Sequence, residues 1–375
     1  MMRVAFNGLS VDNLSGRHVF LGHLRQVIAA SAGQQRHLLL HHAGNRDLAV
    51  ALGSSMDAVE CPPATRSWRT RWWWESSALP RLLQQHGAQA LFSPAGVRSA
   101  QVKVPQLVLA QNPWCLVPEV HNGLADRIKA LAQRAAYRDA QKSAELMLYN
   151  SVYMQRIYEA NAGRDAKASR LLLQGLDDDN FAAGEGAPGF AERRMEVLLV
   201  SVMARHKVIE HVVEAVAVLR RRGLEADLKL VGPWADDSYQ QFIRQRIVEL
   251  GLERHAIIVG KVSREQLFQH YAQARVFCLL SPCESFGIPA VEAQAFGTPC
   301  VVANRGAPPE IAGPGGVVVP AGDIEAAADA LAPLLQLAAA WEERSQAARV
   351  NVQRFRWERC SQPLLDWMRL ASAEA

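Results

Sequence analysis

No stretch of this chain stays apolar over the roughly 20 residues that a membrane-crossing helix needs, so a helical membrane span is not expected. Cysteine is scarce. The six residues Cys61, Cys115, Cys278, Cys283, Cys300 and Cys360 show no Cys-x-x-Cys spacing. That argues against a disulfide scaffold and a zinc ribbon, and the thiols read as reduced, mostly core residues. The N-terminus lacks the apolar centre of an export signal, since Met1-Met-Arg-Val-Ala-Phe-Asn-Gly8 runs straight into a strand pattern. A cytoplasmic location is therefore expected. Excess charge is small, +4 overall, which is too mild for a nucleic-acid partner. It is also uneven. Residues 1–182 carry 20 Lys and Arg against 14 Asp and Glu, a balance of +6, and the remainder is −2. A basic first half suits an acidic partner, such as a lipid-linked phosphate or an anionic membrane surface, at the inner face of the cell membrane.

What the chain does contain is alternation. In residues 1–182, Arg3–Phe6, His37–Leu40, Ala90–Phe92, Gln106–Ala110 and Glu145–Tyr149 read as short buried strands. His18–Ala30, Glu75–Gln85 and Leu124–Gln141 read as helices between them. Ala183-Gly-Glu-Gly-Ala-Pro-Gly189 is rich in small residues, so 183–194 reads as a linker. A second series begins at Met195–Val202 and runs through Val276–Leu280 and Val317–Val319. Strands alternating with helices predict parallel sheets with helices on both faces, here two of them, over 1–182 and 195–354. The last segment, about 355–375, reads as a helix rich in large apolar residues.

One stretch organises the second series: Ser281-Pro-Cys-Glu-Ser-Phe-Gly-Ile-Pro-Ala-Val-Glu292. It follows an apolar strand and leads into a helix at Pro289, a residue favoured in the first helical turn. The amides around Phe286, Gly287 and Ile288 then lie at a helix start, which attracts anions through free donors and the helix dipole. Glu284 in the loop, beside Ser285, and Glu292 in the first helical turn flank it. Carboxylates beside a phosphate site are better used on hydroxyls, such as those of a ribose or a hexose. Loop, anion site and two hydroxyl acceptors together describe a pocket for a nucleotide sugar.

The spacing Glu284-x7-Glu292 resembles the signature of glycosyltransferase family 4, the retaining group 1 glycosyltransferases. The likeness continues through Ala293-Gln-Ala-Phe-Gly-Thr-Pro-Cys-Val-Val302 and Gly306-Ala-Pro-Pro-Glu-Ile-Ala-Gly313. It implies the GT-B fold, two doubly wound Rossmann-like domains facing a cleft, with the C-terminal helix crossing back to the first domain. It implies transfer of a hexose from a nucleotide diphosphate, with retention, to a hydroxyl of a lipid-linked or oligosaccharide acceptor. A mannose-type donor such as GDP-mannose comes first and a UDP-sugar next, and the setting is surface glycan synthesis, of O-antigen, capsule or exopolysaccharide.

In this likeness Glu284 holds donor sugar hydroxyls and Glu292 the ribose. Lys207 in Ala204-Arg-His-Lys207 neutralises the diphosphate. The family's arginine position, five residues earlier, is Val202 here, so Arg205 or His206 becomes the replacement. The region Asn7-Gly8 to Ser15-Gly16-Arg17 reads as a long loop that lacks Gly-x-Gly-x-x-Gly. Gly16 resembles the glycine that approaches the donor phosphates. Gln111-Asn112 stands where many relatives carry a His-Asp-type pair, and amides do not titrate, so they orient hydroxyls and remove no proton. Arg66-Ser-Trp-Arg-Thr-Arg-Trp-Trp-Trp74 suits either a membrane interface or a stacking platform for sugars, with core packing as the plain alternative. Asp177-Asp-Asp179 contains the metal spacing of another glycosyltransferase fold, but it reads as a turn, and no metal or cofactor is expected. The rival readings are a sugar-nucleotide hydrolase or epimerase, and a non-catalytic partner subunit.

Overall fold

The computed structural model describes residues 2–12, 14–31, 35–121 and 123–373. Met1, Asn13 in the first loop, and Glu374 and Ala375 of the expected tail lie outside them. The chain forms two compact units, one of Met1–Gly175 with Trp357–Ala375, the other of Leu176–Arg356.

The first unit is built on a parallel sheet of β1 (Val4–Asn7), β2 (Leu38–His42), β3 (Asp57–Cys61), β4 (Ala90–Ser93), β5 (Gln106–Ala110), β6 (Leu146–Tyr149) and β7 (Ser169–Leu171), in the order 3-2-1-4-5-6-7. The central strands β1, β4, β5 and β6 are buried throughout, as expected for a sheet covered on both faces. The helix Trp357–Ala373 completes this unit by packing on the helix Leu14–Ala30. Glycine makes that packing possible. A β-carbon on Gly22 would stand 2.1 Å from the Trp357 ring, and one on Gly175 would stand 2.5 Å from it. His23, fully buried, meets the indole edge-on and bonds Ser361 Oγ at 2.8 Å.

The second unit carries a parallel sheet of β8 (Arg194–Val200), β9 (Asp227–Val231), β10 (Ala256–Gly260), β11 (Ala274–Leu279), β12 (Cys300–Ala303) and β13 (Gly316–Val319), in the order 10-9-8-11-12-13. Its core takes Ile209, Val212, Val213, Val216 and Leu219 from one face of the helix Ile209–Arg221, the i, i+3, i+4, i+7 pattern of a helix lying on a sheet. Arg193, buried just before β8, donates to the carbonyls of Pro188, Tyr271, Ala274 and Phe296 and to Thr298 Oγ1.

The expected linker is corrected in part. The units divide at Gly175, and Ala183 to Glu185 end a helix, Asp178–Glu185. Asp177 precedes that helix, and Asp178 and Asp179 occupy its first turn, where acidic residues complement the helix dipole. Gly184 belongs there because a β-carbon would stand 2.0 Å from the Ala295 carbonyl oxygen.

Two buried histidines give the first unit a pH dependence. Burial pushes His23 down to about 3 and His37 down to about 4. His37 Nδ1 accepts from the Val4 amide at 3.2 Å, leaving Nε2–H for Ser31 Oγ at 2.8 Å. Folded values below the unfolded value near 6.5 mean that the unfolded chain binds more protons as pH falls. Stability is then full above about pH 6.5 and drains toward pH 4. Melting temperature should fall over that window, and His37→Asn should flatten the slope. An unchanged slope in the variant would remove His37 from the account.

Candidate functional site

In an open parallel sheet, ligands bind outside the carboxyl ends of the strands, where the strand order reverses. In the second unit that switch lies between β8 and β11. The loop after β8 carries Arg205, His206 and Lys207, and the loop after β11 carries Ser281 to Gly287. The two loops are tied together, since Ser281 Oγ donates to the His206 carbonyl at 3.3 Å. Lys207 Nζ lies 2.6 Å from Glu284 Oε1, with the two side chains only 15% and 14% exposed. Seventy-seven residues apart in sequence, they form an ion pair because β8 and β11 are neighbours.

Each partner is held by its backbone. Lys207 ends a 3-10 turn, Arg205–Lys207, and Val208 follows with φ 46° and ψ 51°. A β-branched residue in the left-handed region is costly, about 1–3 kcal/mol, and such outliers cluster at functional sites. The Glu284 carbonyl accepts from the Ala307 amide at 2.9 Å. Gly306 allows that approach, because a β-carbon would stand 2.6 Å from the Glu284 oxygen.

Gly287, at φ 93° and ψ 51°, caps the helix Ile288–Ala295. Pro289 is the second helical residue, not the first, and Glu292 is the fifth, so Glu292 opens the second turn. Phe286 turns into the core, 2% exposed and edge-on to Phe355 at 5.6 Å. Only its backbone is left to serve a ligand. Ser285 and Ile288 are half-buried. Glu292 Oε2 accepts from the Tyr271 hydroxyl at 2.7 Å. Burial first, and Glu292 next, push the Tyr271 hydroxyl well up, so it stays the donor at neutral pH. The sequence carried no signal for Tyr271 beyond an apolar helix position.

Arg205 does not join Lys207 on Glu284. Its Nε lies 3.4 Å from Asp236, its Nη2 donates to Ser238 Oγ at 2.9 Å, and its guanidinium stacks over Tyr239. Asp177 and Asp179 are bonded by Arg264 Nη2 at 3.3 and 2.6 Å, and Asp178 faces Arg356 at 3.5 Å. These aspartates are thus engaged by arginines. Among the described residues there is no group of three His, Cys, Asp or Glu arranged to hold a metal.

In the first unit Gly16 is corrected. It lies in the opening turn of the helix Leu14–Ala30, not in a loop. Glycine is unfavourable inside a helix by about 1 kcal/mol relative to alanine, which is why its position reads as loop. Gln111 Nε2 donates to the Pro94 carbonyl at 3.0 Å, and Asn112 Oδ1 accepts from the Trp114 amide at 3.0 Å. Gln111 thus ties the turn after β5 to the turn after β4, and Asn112 serves the turn after β5 itself. The basic aromatic stretch forms the helix Trp68–Ser77. Trp74 packs against the core around Leu79 and Leu83, while Trp68, Trp72 and Trp73 are exposed.

Residues 185–351 match the model of the family described as glycosyl transferases group 1. A D-inositol 3-phosphate glycosyltransferase of Saccharomonospora viridis is 32% identical over 234 residues, covering 58% of this chain and 53% of that protein. A GDP-mannose-dependent alpha-(1-6)-phosphatidylinositol monomannoside mannosyltransferase of Mycobacterium tuberculosis is 27% identical over 260 residues, 63% of this chain and 64% of that protein. The chain thus spans about half to two thirds of the length of these curated relatives. Sucrose-phosphate synthase from Thermosynechococcus elongatus superposes with a TM-score of 0.78 at 20% identity, over the whole of both chains, a likeness of fold alone. The second unit is thus similar to the group 1 glycosyltransferases, and the chain, with its two parallel sheets, has the GT-B fold.

Proposed function

We propose that this protein transfers a hexose from a nucleotide diphosphate sugar to a hydroxyl of a lipid-linked or oligosaccharide acceptor, with retention and without a metal. The observation that carries this reading is the Lys207–Glu284 pair at the switch point of the second sheet, one turn of chain from the Gly287 cap. As the glycosidic bond breaks, charge grows on the leaving diphosphate. A lysine and helix-start amides fixed in advance where that charge appears lower the barrier without reorganising. Glu284 keeps the ammonium in place and has its other oxygen for sugar hydroxyls. Glu292, steadied by Tyr271, takes the ribose. Arg205 stands as an outer phosphate contact that must leave Asp236 to act. Ser285, Phe286, Gly287 and Ile288 contribute backbone, and in the first unit Gly16 is assigned to the donor phosphates and Gln111 and Asn112 to the acceptor sugar.

A mannose-type donor such as GDP-mannose comes first, in keeping with the mycobacterial relative's name, and a UDP-sugar second. Synthesis of a surface glycan at the inner face of the cell membrane fits the basic first half. No described helix is long and apolar enough to cross a membrane. The proposed contact is a peripheral one, through Arg66 to Trp74 with its three exposed tryptophans.

Thermal unfolding with a panel of nucleotides and nucleotide sugars, in excess chelator, tests the reading. A nucleotide at 100 times its dissociation constant adds about 2.7 kcal/mol of stability. GDP or UDP should raise the melting temperature with chelator present, and sugar should pass to an added acceptor. Stabilisation only after manganese is restored would overturn metal independence. Release of free sugar or an epimer, with no acceptor product, would replace transfer by hydrolysis or epimerisation.

A further inference from the structure

The helix Leu124–Ser143 buries Ala130, Tyr137, Ala140 and Gln141. Its outer side is unusual. Leu124, Ile128 and Leu131 are 73%, 60% and 63% exposed, spaced i, i+4, i+7 so that they line one stripe. A soluble surface does not ordinarily gather large aliphatic side chains in a row. At 3.6 residues per turn the same stripe takes in Ala135 and the exposed cations Arg127, Arg138 and Lys142. The helix's acidic residues lie off it. Asp126 falls on the far side, and Asp139, at the edge, is bonded by Arg98 Nε at 2.7 Å. Two other cations of this helix are engaged away from the stripe. Lys129 sits over the Trp114 ring, and Arg134 Nε donates to the Cys115 carbonyl at 2.6 Å. An aliphatic row flanked by three exposed cations, with its one bordering carboxylate, Asp139, neutralised by Arg98, is the pattern of a helix that lies in the headgroup layer of an anionic bilayer.

We infer that the outer stripe of the helix Leu124–Ser143 is a docking surface for an anionic lipid bilayer. Leu124, Ile128 and Leu131 enter the acyl boundary, and Arg127, Arg138 and Lys142 meet the anionic headgroups. The charge pattern favours lipid over a second copy of the chain, because two such stripes would bring their cations together. The surface is separate from the tryptophan helix Trp68–Ser77 and does not rest on sugar transfer. A protein inactive as a transferase would still dock.

The full-length protein is floated with vesicles of phosphatidylcholine alone and of phosphatidylcholine with phosphatidylglycerol. Binding is expected only to the anionic vesicles, weakening at high salt as exposed charges are screened. Ile128→Ser with Leu131→Ser should lower partitioning about tenfold or more, as loss of buried apolar area predicts. Arg127→Glu with Arg138→Glu should do likewise while leaving the apolar row intact. Both pairs change exposed positions, and an unchanged melting curve verifies folding. Trp72→Ser with Trp73→Ser measures the tryptophan helix independently. Failure to bind anionic vesicles, or binding undiminished in both stripe variants, would overturn the inference. So would a concentration-dependent dimer that either stripe variant abolishes in the absence of lipid.

Discussion

Lys207→Ala should lower kcat/KM for sugar transfer by about a hundredfold or more, the size of effect seen when one preplaced electrostatic contact to a developing charge is removed. The structure adds a second reason for a large loss. Lys207 and Glu284 are paired at 2.6 Å with little exposure, so the variant leaves Glu284 without its counter-charge. An uncompensated carboxylate in a shielded site is costly and would also repel the incoming diphosphate. The two contributions separate in a double-mutant cycle with Glu284→Gln. If repulsion dominates, Lys207→Ala with Glu284→Gln recovers donor affinity relative to Lys207→Ala alone, and kcat stays low. Steady-state kinetics on the three variants reads this directly. Activity of Lys207→Ala within threefold of the parent would remove Lys207 from the mechanism.

The second large effect concerns Glu292. A hydrogen bond to a charged group contributes about 1.5–3 kcal/mol. Glu292→Gln keeps the shape and still accepts from Tyr271, but it removes the charge. Nucleotide binding should therefore weaken by about ten- to a hundredfold. Damage to the loop would do the same, so the decisive arm is a nucleotide without 2′ and 3′ hydroxyls. It should bind the parent protein weakly and be nearly indifferent to the substitution, which makes the two losses strongly non-additive. Tyr271→Phe supplies a milder companion. It releases Glu292 Oε2 from its 2.7 Å bond while keeping the ring stacked on Phe296. Calorimetry on the parent and Glu292→Gln with the two nucleotides gives the coupling. Additive losses would mean that Glu292 does not touch the ribose.

Much of the architecture was legible because it depends on local apolar runs. Gln106–Ala110 was read with its observed bounds, and most other strands were read within two residues of theirs. The strand Asp57–Cys61 was not read. It pairs only with β2 at the sheet edge, and its residues alternate between half-buried and exposed until Cys61, so no buried run marks it. The helix Trp68–Ser77 was hidden for the opposite reason. Its aromatic and basic residues gave no clear helical stripe, and its buried surface is mainly that of Trp74.

At the candidate site, spacing pointed to residues but not to their partners. Glu284 and Glu292 share one loop and helix, so a linear pattern records them. Lys207 meets Glu284, and Tyr271 meets Glu292, only through strand order and helix packing, which no local window contains. Arg205 shows the limit most clearly. Its place after β8 was legible. The direction of its side chain was set by Asp236, Ser238 and Tyr239, thirty-one to thirty-four residues downstream.

The division of the chain has a consequence for how the protein is made. Residues 176–356 are continuous, whereas the first unit is interrupted and is finished only by Trp357–Ala373. A ribosome delivers the N-terminal segment first, yet that segment lacks the helix whose Trp357 fills the space above Gly22 and Gly175. The second unit can close as soon as it emerges, while the first waits with apolar surface uncovered. Its last contacts join residues more than 300 apart, such as His23 and Ser361, the long-range kind that slows folding. Order of synthesis and order of completion are thus reversed, and the interval between them is when a chaperone would be most needed.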